Sequence, residues 1–364
     1  MKQEQQALLD LRELYGKYGY TQYKMSKFEE YDLYVRNKSF LLSDSVITFT
    51  DTNGKLMALK PDVTLSIVKN SRDIPGCVQK LYYDEHVYRI SDKTASYKEI
   101  PQVGLECLGD IDDYCIGEVL SLAAKSLATF DANYILDISH LGILSLVLDR
   151  IGVSQASRRA LLECISKKDI HDARRICLEE GISEERAALL ARLEACSGKV
   201  DDALTGLGSL FEDVEWTATV TRFGNILALL PTENIRIDFS VINDMNYYNG
   251  IVFQGFVPSI PTDVLSGGQY DNLMRRMEKK LGAIGFAIYL DRLESLVSPR
   301  RDFDVDVLLL YTQENTPAQI LSALQGLTNQ GLCVLAQRTI PERLTYRQLI
   351  KLTESGVQIL ENNA

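Results

Sequence analysis

The sequence predicts an α+β fold in which an antiparallel sheet is flanked by helices and interrupted by an all-helical insertion. Two long strand-like stretches, at 77–90 and 99–111, follow one another with only a polar loop between them. Strand patterns stop near residue 139 and return after residue 234, with helical patterns in between. Consecutive strands without an intervening helix favour antiparallel pairing, whereas a βαβ series would alternate strands with helices.

The elements around the first strands follow from local signals. Residues 4–18 place apolar side chains at helical spacing, which predicts an opening helix. Asn53-Gly54 between two alternating segments predicts a hairpin. Pro61 suits the first turn of a helix. A further helix over 116–130 is expected to cover the sheet.

The chain is expected to divide into three parts. Residues 1–138 and 231–298 form the sheet-containing core, and residues 139–230 form the helical insertion. Side chains that could cap the helices of the insertion precede four of its helical patterns: Ser139, Ser154, Asp169 and Ser183. Beyond Pro299, a strand pattern, a helix and a second strand predict a short α/β segment over 299–364.

Composition restricts the possible functions. The net charge is −11, which lowers the expectation of nucleic-acid binding, since that binding depends strongly on Lys and Arg at phosphates. Seven dispersed cysteines and three histidines show no zinc-site spacing and are typical of reduced thiols, so no metal or cofactor is expected. The polar start and the absence of a long apolar run predict a cytoplasmic protein without a membrane span.

Four segments, in this order, resemble the core of class II aminoacyl-tRNA synthetases, and specifically the histidyl branch. The segment LKPDVT lies at 59–64, and VYRI followed by QVGLECLG at 87–109 resembles class II motif 2. The segment NDMNYYNGIVF at 243–253 is similar to the histidine-recognition segment. GGQYDNL at 267–273, with GFAIYLDRL at 285–293, resembles motif 3.

The resemblance implies a binding site for free histidine. By resemblance, Asp62, Thr64 and Gln102 hold the α-amino and carboxylate ends of the ligand, and Glu106 and Tyr248 hold its imidazole. Tyr247 borders this pocket, and Arg89 supplies a cationic fork. These residue types suit amino-acid binding, because an amino acid needs a carboxylate for its ammonium group and hydrogen-bond donors for its own carboxylate.

Each of these assignments has a structural alternative that the sequence leaves open. Asp62 and Thr64 could be ordinary residues of a first helical turn. Gln102 and Glu106 could pair with neighbours across the sheet. The two tyrosines of the histidine-recognition segment could be strand aromatics, since strands favour tyrosine. The Gly267-Gly268 pair favours a turn over a phosphate cradle.

Several departures from the family pattern predict that synthetase chemistry is lost. Asn243 stands where the family carries an Arg, and an Asn cannot offset the negative charge that develops on a phosphate. Motif 2 reads Arg-Ile-Ser and places Ser91 where Glu is usual. Tyr289 replaces a Gly of motif 3, and Lys60 replaces the Arg of LRP, whereas Arg292 matches the pattern. Ser91, Asn243, Tyr289 and Arg292 are therefore expected to form a vestigial ATP site.

A retained amino-acid pocket beside a damaged ATP site resembles the regulatory-subunit branch of this family. That resemblance implies a non-catalytic chain that binds L-histidine and a short-form ATP phosphoribosyltransferase catalytic subunit. It also implies a homodimer within a hetero-oligomer. The negative net charge, and a segment after Pro299 that resembles only the beginning of an anticodon-binding domain, argue against tRNA as a partner. No membrane partner is expected, because the chain lacks a long apolar run. A divergent histidyl-tRNA synthetase and a synthetase-like amino-acid sensor remain the alternatives.

Overall fold

A computed structural model describes residues 3–37, 46–90, 96–231, 233–242, 247–297, 303–353 and 356–363. The chain divides into two compact units, one over residues 1–298 and one over residues 299–364. The first unit contains a large sheet, a small sheet and most of the helices, and the second contains its own four-stranded sheet.

The large sheet of the first unit has nine strands in the described residues. They are β1 (Thr21–Gln22), β5 (Val78–Ile90), β6 (Tyr97–Gly109), β7 (Ile135–His140), β8 (Gly198–Lys199), β9 (Ile235–Ile237), β10 (Ile251–Phe256), β11 (Leu265–Gln269) and β12 (Gly282–Tyr289). Their spatial order is β1-β5-β6-β12-β11-β10-β7-β9-β8. From β5 to β7 in this order every pair is antiparallel, which confirms the predicted fold class. The pairs β1–β5 and β7–β9 are parallel, so the sheet is mixed at its margins.

The small sheet contains β2 (Phe28–Glu30), β3 (Thr48–Thr50) and β4 (Leu56–Leu59), in the order β2-β4-β3. The hairpin predicted at Asn53-Gly54 joins β3 to β4. Asp51 Oδ1 accepts the backbone N–H groups of Asn53 and Lys55, at 2.8 Å each. Gly54 has a φ of 80°, a conformation that glycine adopts without steric cost.

The helices in the described part of the first unit lie before its first strand, between its strands, after its last strand and in the insertion. They are α1 (Gln3–Lys17), α2 (Tyr31–Arg36), α3 (Thr64–Asn70), α4 (Asp113–Phe130), α5 (Leu141–Ile151), α6 (Gln155–Ser166), α7 (Ile170–Glu179), α8 (Glu184–Ala195), α9 (Val200–Gly208), α10 (Val214–Leu227), α11 (Asp271–Arg276) and α12 (Leu290–Val297). The insertion holds α5 to α10. It is not entirely helical, because the two-residue strand β8 pairs with β9.

Three of the four predicted helix caps in the insertion are confirmed. The side chains of Ser154, Asp169 and Ser183 each accept the N–H group three residues later, at 3.0–3.4 Å. The prediction for Ser139 is wrong, because β7 continues through His140. The imidazole Nδ1 of His140 instead caps α5 by accepting the N–H of Ile143 at 3.2 Å.

Alternation along the central strands separates the two faces of the large sheet. On β6, Val103, Leu105 and Cys107 are fully buried in the main hydrophobic core, which also contains side chains of α1 and α4. The residues between them therefore point to the opposite face, since successive strand side chains alternate. That second face carries Gln102, Glu106 and a smaller apolar core that includes side chains of α3.

The second unit has strands β13 (Val305–Leu310), β14 (Val334–Gln337), β15 (Tyr346–Thr353) and β16 (Gly356–Asn362) and helix α13 (Pro317–Thr328). Their order in the sheet is β14-β13-β15-β16. A capping box between Thr316 and Gln319 starts α13. The predicted strand, helix and strand are present, and the sequence prediction missed the antiparallel pair β15–β16.

Three further expectations concern metals, thiols and membranes. All seven cysteines are free, and four of them are buried. Among the described residues, no group of three or more His, Cys, Asp or Glu side chains is arranged to hold a metal ion. None of the helices in the same residues is both long and apolar enough to cross a lipid bilayer.

Candidate ligand-binding site

A cavity of about 60 Å³ lies on the second face of the large sheet, beside the N-terminus of α3. Every residue predicted to bind histidine lines it: Asp62, Thr64, Arg89, Gln102, Glu106, Tyr247 and Tyr248. Tyr289, predicted to belong to a vestigial ATP site, also lines it. Arg292 lies directly behind Tyr289. Ser91 and Asn243 lie outside the described residues.

The floor of the cavity is a grid set by the pairing of β6 with β12. Three registered pairs share this face, because each lies two residues from the next along both strands. From one end of the cavity to the other they are Glu106–Gly285, Gly104–Ala287 and Gln102–Tyr289. We name the first end the acidic end and the last the tyrosine end.

The acidic end is built around the carboxyl group of Glu106, which is 2% exposed. Thr64 Oγ1 donates a hydrogen bond to Glu106 Oε1 at 2.7 Å, and the Tyr270 hydroxyl donates to Oε2. Burial raises the pKa of Glu106 to about 8, although both hydrogen bonds oppose the rise. Burial therefore favours the protonated form of this carboxyl group in the ligand-free protein, whereas a ligand that donates a hydrogen bond to it favours the carboxylate.

Glycines create the space at this end. A Cβ atom on Gly285 would lie 1.7 Å from Glu106 Oε2 and 2.5 Å from the carbonyl oxygen of Leu105. A Cβ atom on Gly268 would lie 2.7 Å from Cδ1 of Tyr248. The missing side chain of Gly268 leaves room for the Tyr248 ring. Gly268 lies within β11, so the turn predicted for Gly267-Gly268 is wrong.

Asp62 and Thr64 serve the helix and the cavity together. Asp62 Oδ1 accepts the N–H of Leu65 at 2.8 Å and so holds the first turn of α3. Burial raises the pKa of Asp62, while the Leu65 N–H and the Arg89 guanidinium oppose the rise. The alternative in which these two residues serve the first turn of a helix is thus correct. Both side chains also face the cavity.

The walls of the cavity are aromatic. The ring centroids of Tyr247 and Tyr248 are 4.5 Å apart, and those of Tyr247 and Tyr270 are 5.7 Å apart. Tyr247 and Tyr248 lie before β10 and outside any strand, so the strand-aromatic alternative is wrong. The rings of both pairs are tilted, by 54° and 51°, and they give the cavity apolar walls between its polar ends.

The tyrosine end carries hydrogen-bond donors. Gln102 is 4% exposed, and within the described residues its Nε2 has no hydrogen-bond partner. Such a buried donor costs about 1–3 kcal/mol unless a ligand or water accepts from it. Arg89 lines the same region and is positioned by a 3.1 Å hydrogen bond from its Nε to the carbonyl oxygen of Pro61.

Tyr289 closes this end. It is 9% exposed, and the guanidinium carbon of Arg292 lies 4.2 Å from the centre of its ring. Arg292 is in turn fixed by an ion pair from its Nη1 to Asp263 Oδ1 at 2.7 Å. The arrangement is a cation–π contact backed by a carboxylate.

Lys60 lies near the tyrosine end but is already paired. It is 0% exposed, and its Nζ forms an ion pair with Glu85, which is the β5 neighbour of Gln102 in the sheet. Its charge is therefore compensated within the protein, and removing either partner would leave the other charge buried and unpaired.

The match to known families decides the lineage. Residues 1–293 match the family described as histidyl-tRNA synthetase. The chain belongs to the histidyl-tRNA synthetase family. The cavity thus lies in a part of the chain that the family covers throughout.

Relatives within the histidyl-tRNA synthetase family carry two kinds of name. An ATP phosphoribosyltransferase regulatory subunit of Oceanobacillus iheyensis is 27% identical over 95% of this chain and 84% of its own length. A histidine–tRNA ligase of Methanocaldococcus jannaschii is also 27% identical, over 78% of this chain and 69% of its own length. A crystal structure from Bacillus halodurans, described as an ATP phosphoribosyltransferase regulatory subunit/histidyl-tRNA synthetase, has a TM-score of 0.75 at 21% identity. It covers 96% of this chain and 93% of that one, which confirms the fold.

Sequence reasoning missed six residues that line the cavity. They are Tyr83, Ser266, Tyr270, Gly285, Phe286 and Ala287. Five of them lie inside or next to the segments that resemble motif 3 of the histidyl-tRNA synthetase family. Alternation along β12 could have indicated Gly285 and Ala287, because they lie two and four residues before Tyr289 and so share its face of the sheet.

Proposed function

We propose that this chain is the non-catalytic regulatory subunit of ATP phosphoribosyltransferase. In this role it binds L-histidine in the cavity and confers feedback inhibition on a short-form catalytic subunit. The observation that carries the proposal is the pairing of a fully built acidic end with a tyrosine that fills the opposite end. The regulatory subunit of Oceanobacillus iheyensis, aligned over 95% of this chain, supports it.

Histidine fits the order of groups along the cavity. The imidazole N–H donates to Glu106 and packs against Tyr248, while the α-ammonium group is held by Asp62 and Thr64. The α-carboxylate accepts from the unpartnered Nε2 of Gln102 and from the guanidinium group of Arg89. Hydrogen bonds to charged groups contribute roughly 1.5–3 kcal/mol each, so three or four of them support micromolar recognition before ordering costs are subtracted.

Regulation requires that histidine distinguishes two states of the assembly. Histidine inhibits only if it binds the inhibited arrangement of the complex more tightly than the active one. Typical couplings of about 1–3 kcal/mol correspond to 5- to 150-fold differences in affinity. We propose that the chain acts as a homodimer within a hetero-oligomeric, cytoplasmic complex, and that phosphoribosyl transfer occurs on the partner.

The test is the activity of the cognate short catalytic subunit. It is measured with and without this chain, and with and without L-histidine. The proposal expects this chain to raise activity and histidine to suppress the raised activity. A catalytic subunit that is unaffected by this chain, or a complex that stays fully active in saturating histidine, would refute the proposal.

A matched pair of glutamate variants assigns the effect to the cavity. Glu106→Gln replaces the ionisable carboxyl group by an amide and should raise the histidine concentration needed for inhibition about 10- to 100-fold, while the complex still assembles. Glu99→Gln changes an exposed glutamate on the same strand and should leave inhibition intact. Equal inhibition of both complexes would place the histidine site elsewhere.

A divergent synthetase is the second candidate, because the ligase of Methanocaldococcus jannaschii is as similar in percentage identity. Tyr289 argues against it, since its ring stands where a second ligand next to the amino acid would need space. Histidine-dependent exchange of pyrophosphate into ATP, measured with the whole chain, decides between the two. Exchange above the background of a Glu106→Gln variant favours the synthetase.

A further inference from the structure

The tyrosine end of the cavity has a feature that amino-acid binding alone does not require. Along β12 the side chains that face the cavity change from Gly285 to Ala287 to Tyr289. The first two leave space over β6, and the third fills it beside Gln102. The large ring therefore stands at one end of a strand that is otherwise lined by the smallest residues.

We infer that Tyr289 is a specificity-determining residue that limits the ligand to free amino acids and excludes derivatives enlarged at the α-carboxylate. The inference rests on the proposed function, because it takes the carboxylate of histidine to lie against Gln102. A group attached to that carboxylate would extend along β12 into the volume of the Tyr289 ring.

Two contacts hold the side chain of Tyr289, and a third fixes its backbone. Arg292 stacks on it at 4.2 Å, and Asp263 fixes Arg292 through the 2.7 Å ion pair. A hydrogen bond joins Tyr289 to Ser266. The backbone N–H of Tyr289 donates to the carbonyl oxygen of Val264 at 2.9 Å. A side chain with this many contacts does not swing aside without losing them, so it acts as a wall.

Truncation of this ring should open the cavity. The residues beside it on the sheet, Ser266 and Ala287, are small and registered with each other, so they cannot refill the space. Closely packed interiors collapse only partly around a deleted side chain, and an apolar void of this size binds small aromatic molecules. Tyr289→Ala therefore replaces a wall with a ring-shaped opening between Arg292 and the cavity.

The first experiment compares two ligands by calorimetry on the whole chain. L-Histidine carries a free carboxylate, and L-histidine β-naphthylamide carries a bulky aromatic amide in its place. The native chain should bind the naphthylamide at least about 100-fold more weakly than L-histidine. Tyr289→Ala should reduce that ratio to about tenfold or less by gaining affinity for the naphthylamide.

Two outcomes overturn the inference. One is binding of the naphthylamide to the native chain within about tenfold of L-histidine. The other is a Tyr289→Ala chain that binds L-histidine but still rejects the naphthylamide. In the second case the wall is formed by other groups.

The second experiment needs no histidine and so separates this inference from the proposed function. p-Cresol, which is the tyrosine side chain as a free molecule, should raise the melting temperature of Tyr289→Ala by about 2–4 °C and leave the native chain unchanged. Tyr97→Ala, which removes a 76% exposed tyrosine, is the matched control and should show no shift. A p-cresol shift in a chain whose native form binds no L-histidine overturns the proposed function but leaves Tyr289 as the removable wall. Histidine binding without any p-cresol shift overturns the wall.

Discussion

The two ends of the cavity are built on the same pair of strands, β6 and β12, yet they use space in opposite ways. At the acidic end Gly285 gives up its own volume so that Glu106 can be buried with two hydrogen bonds. At the tyrosine end Tyr289 takes up volume and presses against Arg292. The two arrangements lie only four positions apart on β12, so one end of a site can be preserved while the other is filled.

The largest effect is expected where the acidic end has no spare room. Gly285→Ala places a Cβ atom within 1.7 Å of Glu106 Oε2 and 2.5 Å of a backbone oxygen. Such overpacking should lower the free energy of unfolding by about 1–3 kcal/mol and displace the carboxyl group. Calorimetry should show histidine affinity reduced at least about 100-fold.

Gly16→Ala is the control for this change. Gly16 lies in α1, and a Cβ atom there meets no atom within 4 Å among the described residues. Alanine in a helix is favoured over glycine by roughly 0.5–1 kcal/mol, so stability should stay equal or rise. If both variants bound histidine normally, the contact between Gly285 and Glu106 would not shape the site.

Replacing the ionisable carboxyl group of Glu106 by an amide of the same shape should have the next largest effect. Glu106→Gln keeps the oxygen that Thr64 can donate to but loses the ionisable acceptor. Since charge-assisted hydrogen bonds contribute roughly 1.5–3 kcal/mol, titration calorimetry at pH 7 should show affinity about 10- to 100-fold lower. An unchanged dissociation constant in the folded variant would contradict the role of Glu106.

The same variant should alter how stability depends on pH. The pKa of Glu106 is about 8 in the folded chain and near 4.5 when unfolded, so the folded state holds the extra proton between these values. The stability contributed by this group is therefore full below pH 4.5 and falls as pH rises towards 8. Urea unfolding should show Glu106→Gln gaining on the native chain by up to about 1.4 kcal/mol per pH unit in this window. Parallel pH profiles would mean that Glu106 is ionised in the folded state.

At the tyrosine end, Gln102→Leu should weaken histidine binding while leaving stability equal or higher. The variant removes a buried donor that lacks a partner among the described residues, which relieves up to about 1–3 kcal/mol of desolvation cost. Thermal unfolding should thus show equal or higher stability, while histidine affinity falls about tenfold. A clear loss of stability would show that the Gln102 amide is satisfied within the protein.

The smallest effect is expected at Asp263, which holds Arg292 against the Tyr289 ring. Asp263→Asn weakens the support of Arg292 and, through it, the stack on Tyr289. Partly exposed contacts of this kind are worth about 0.5–1 kcal/mol, which chemical denaturation can resolve. Asp110→Asn, which changes an exposed aspartate outside any helix, is the control and should leave stability unchanged.

Much of the site was predictable because its residues lie together in short segments of the sequence. Asp62 and Thr64 come from one segment, and Gln102 and Glu106 from another, so each pair is fixed by local structure. Their convergence on one cavity required the resemblance to a known family, since nothing local relates α3 to β6. The hairpin at Asn53-Gly54 and three of the helix caps needed only local chemistry.

What could not be predicted depends on register between distant strands. The role of Gly285 exists only because β12 pairs with β6 so that this residue lies opposite Glu106. His140 caps α5 because β7 extends one residue further than the local pattern suggests. The parallel edge pairs and the last two strands are likewise decided by tertiary pairing, which a single sequence does not encode as a periodic signal.

The clamp formed by Asp263 and Arg292 on Tyr289 has a consequence for the cost of filling the cavity. Because this end of the cavity is already ordered in the empty protein, a ligand that enters it loses little affinity to the ordering of side chains there. More of the interaction between such a ligand and the cavity therefore appears as affinity, and mainly as slower release of the ligand.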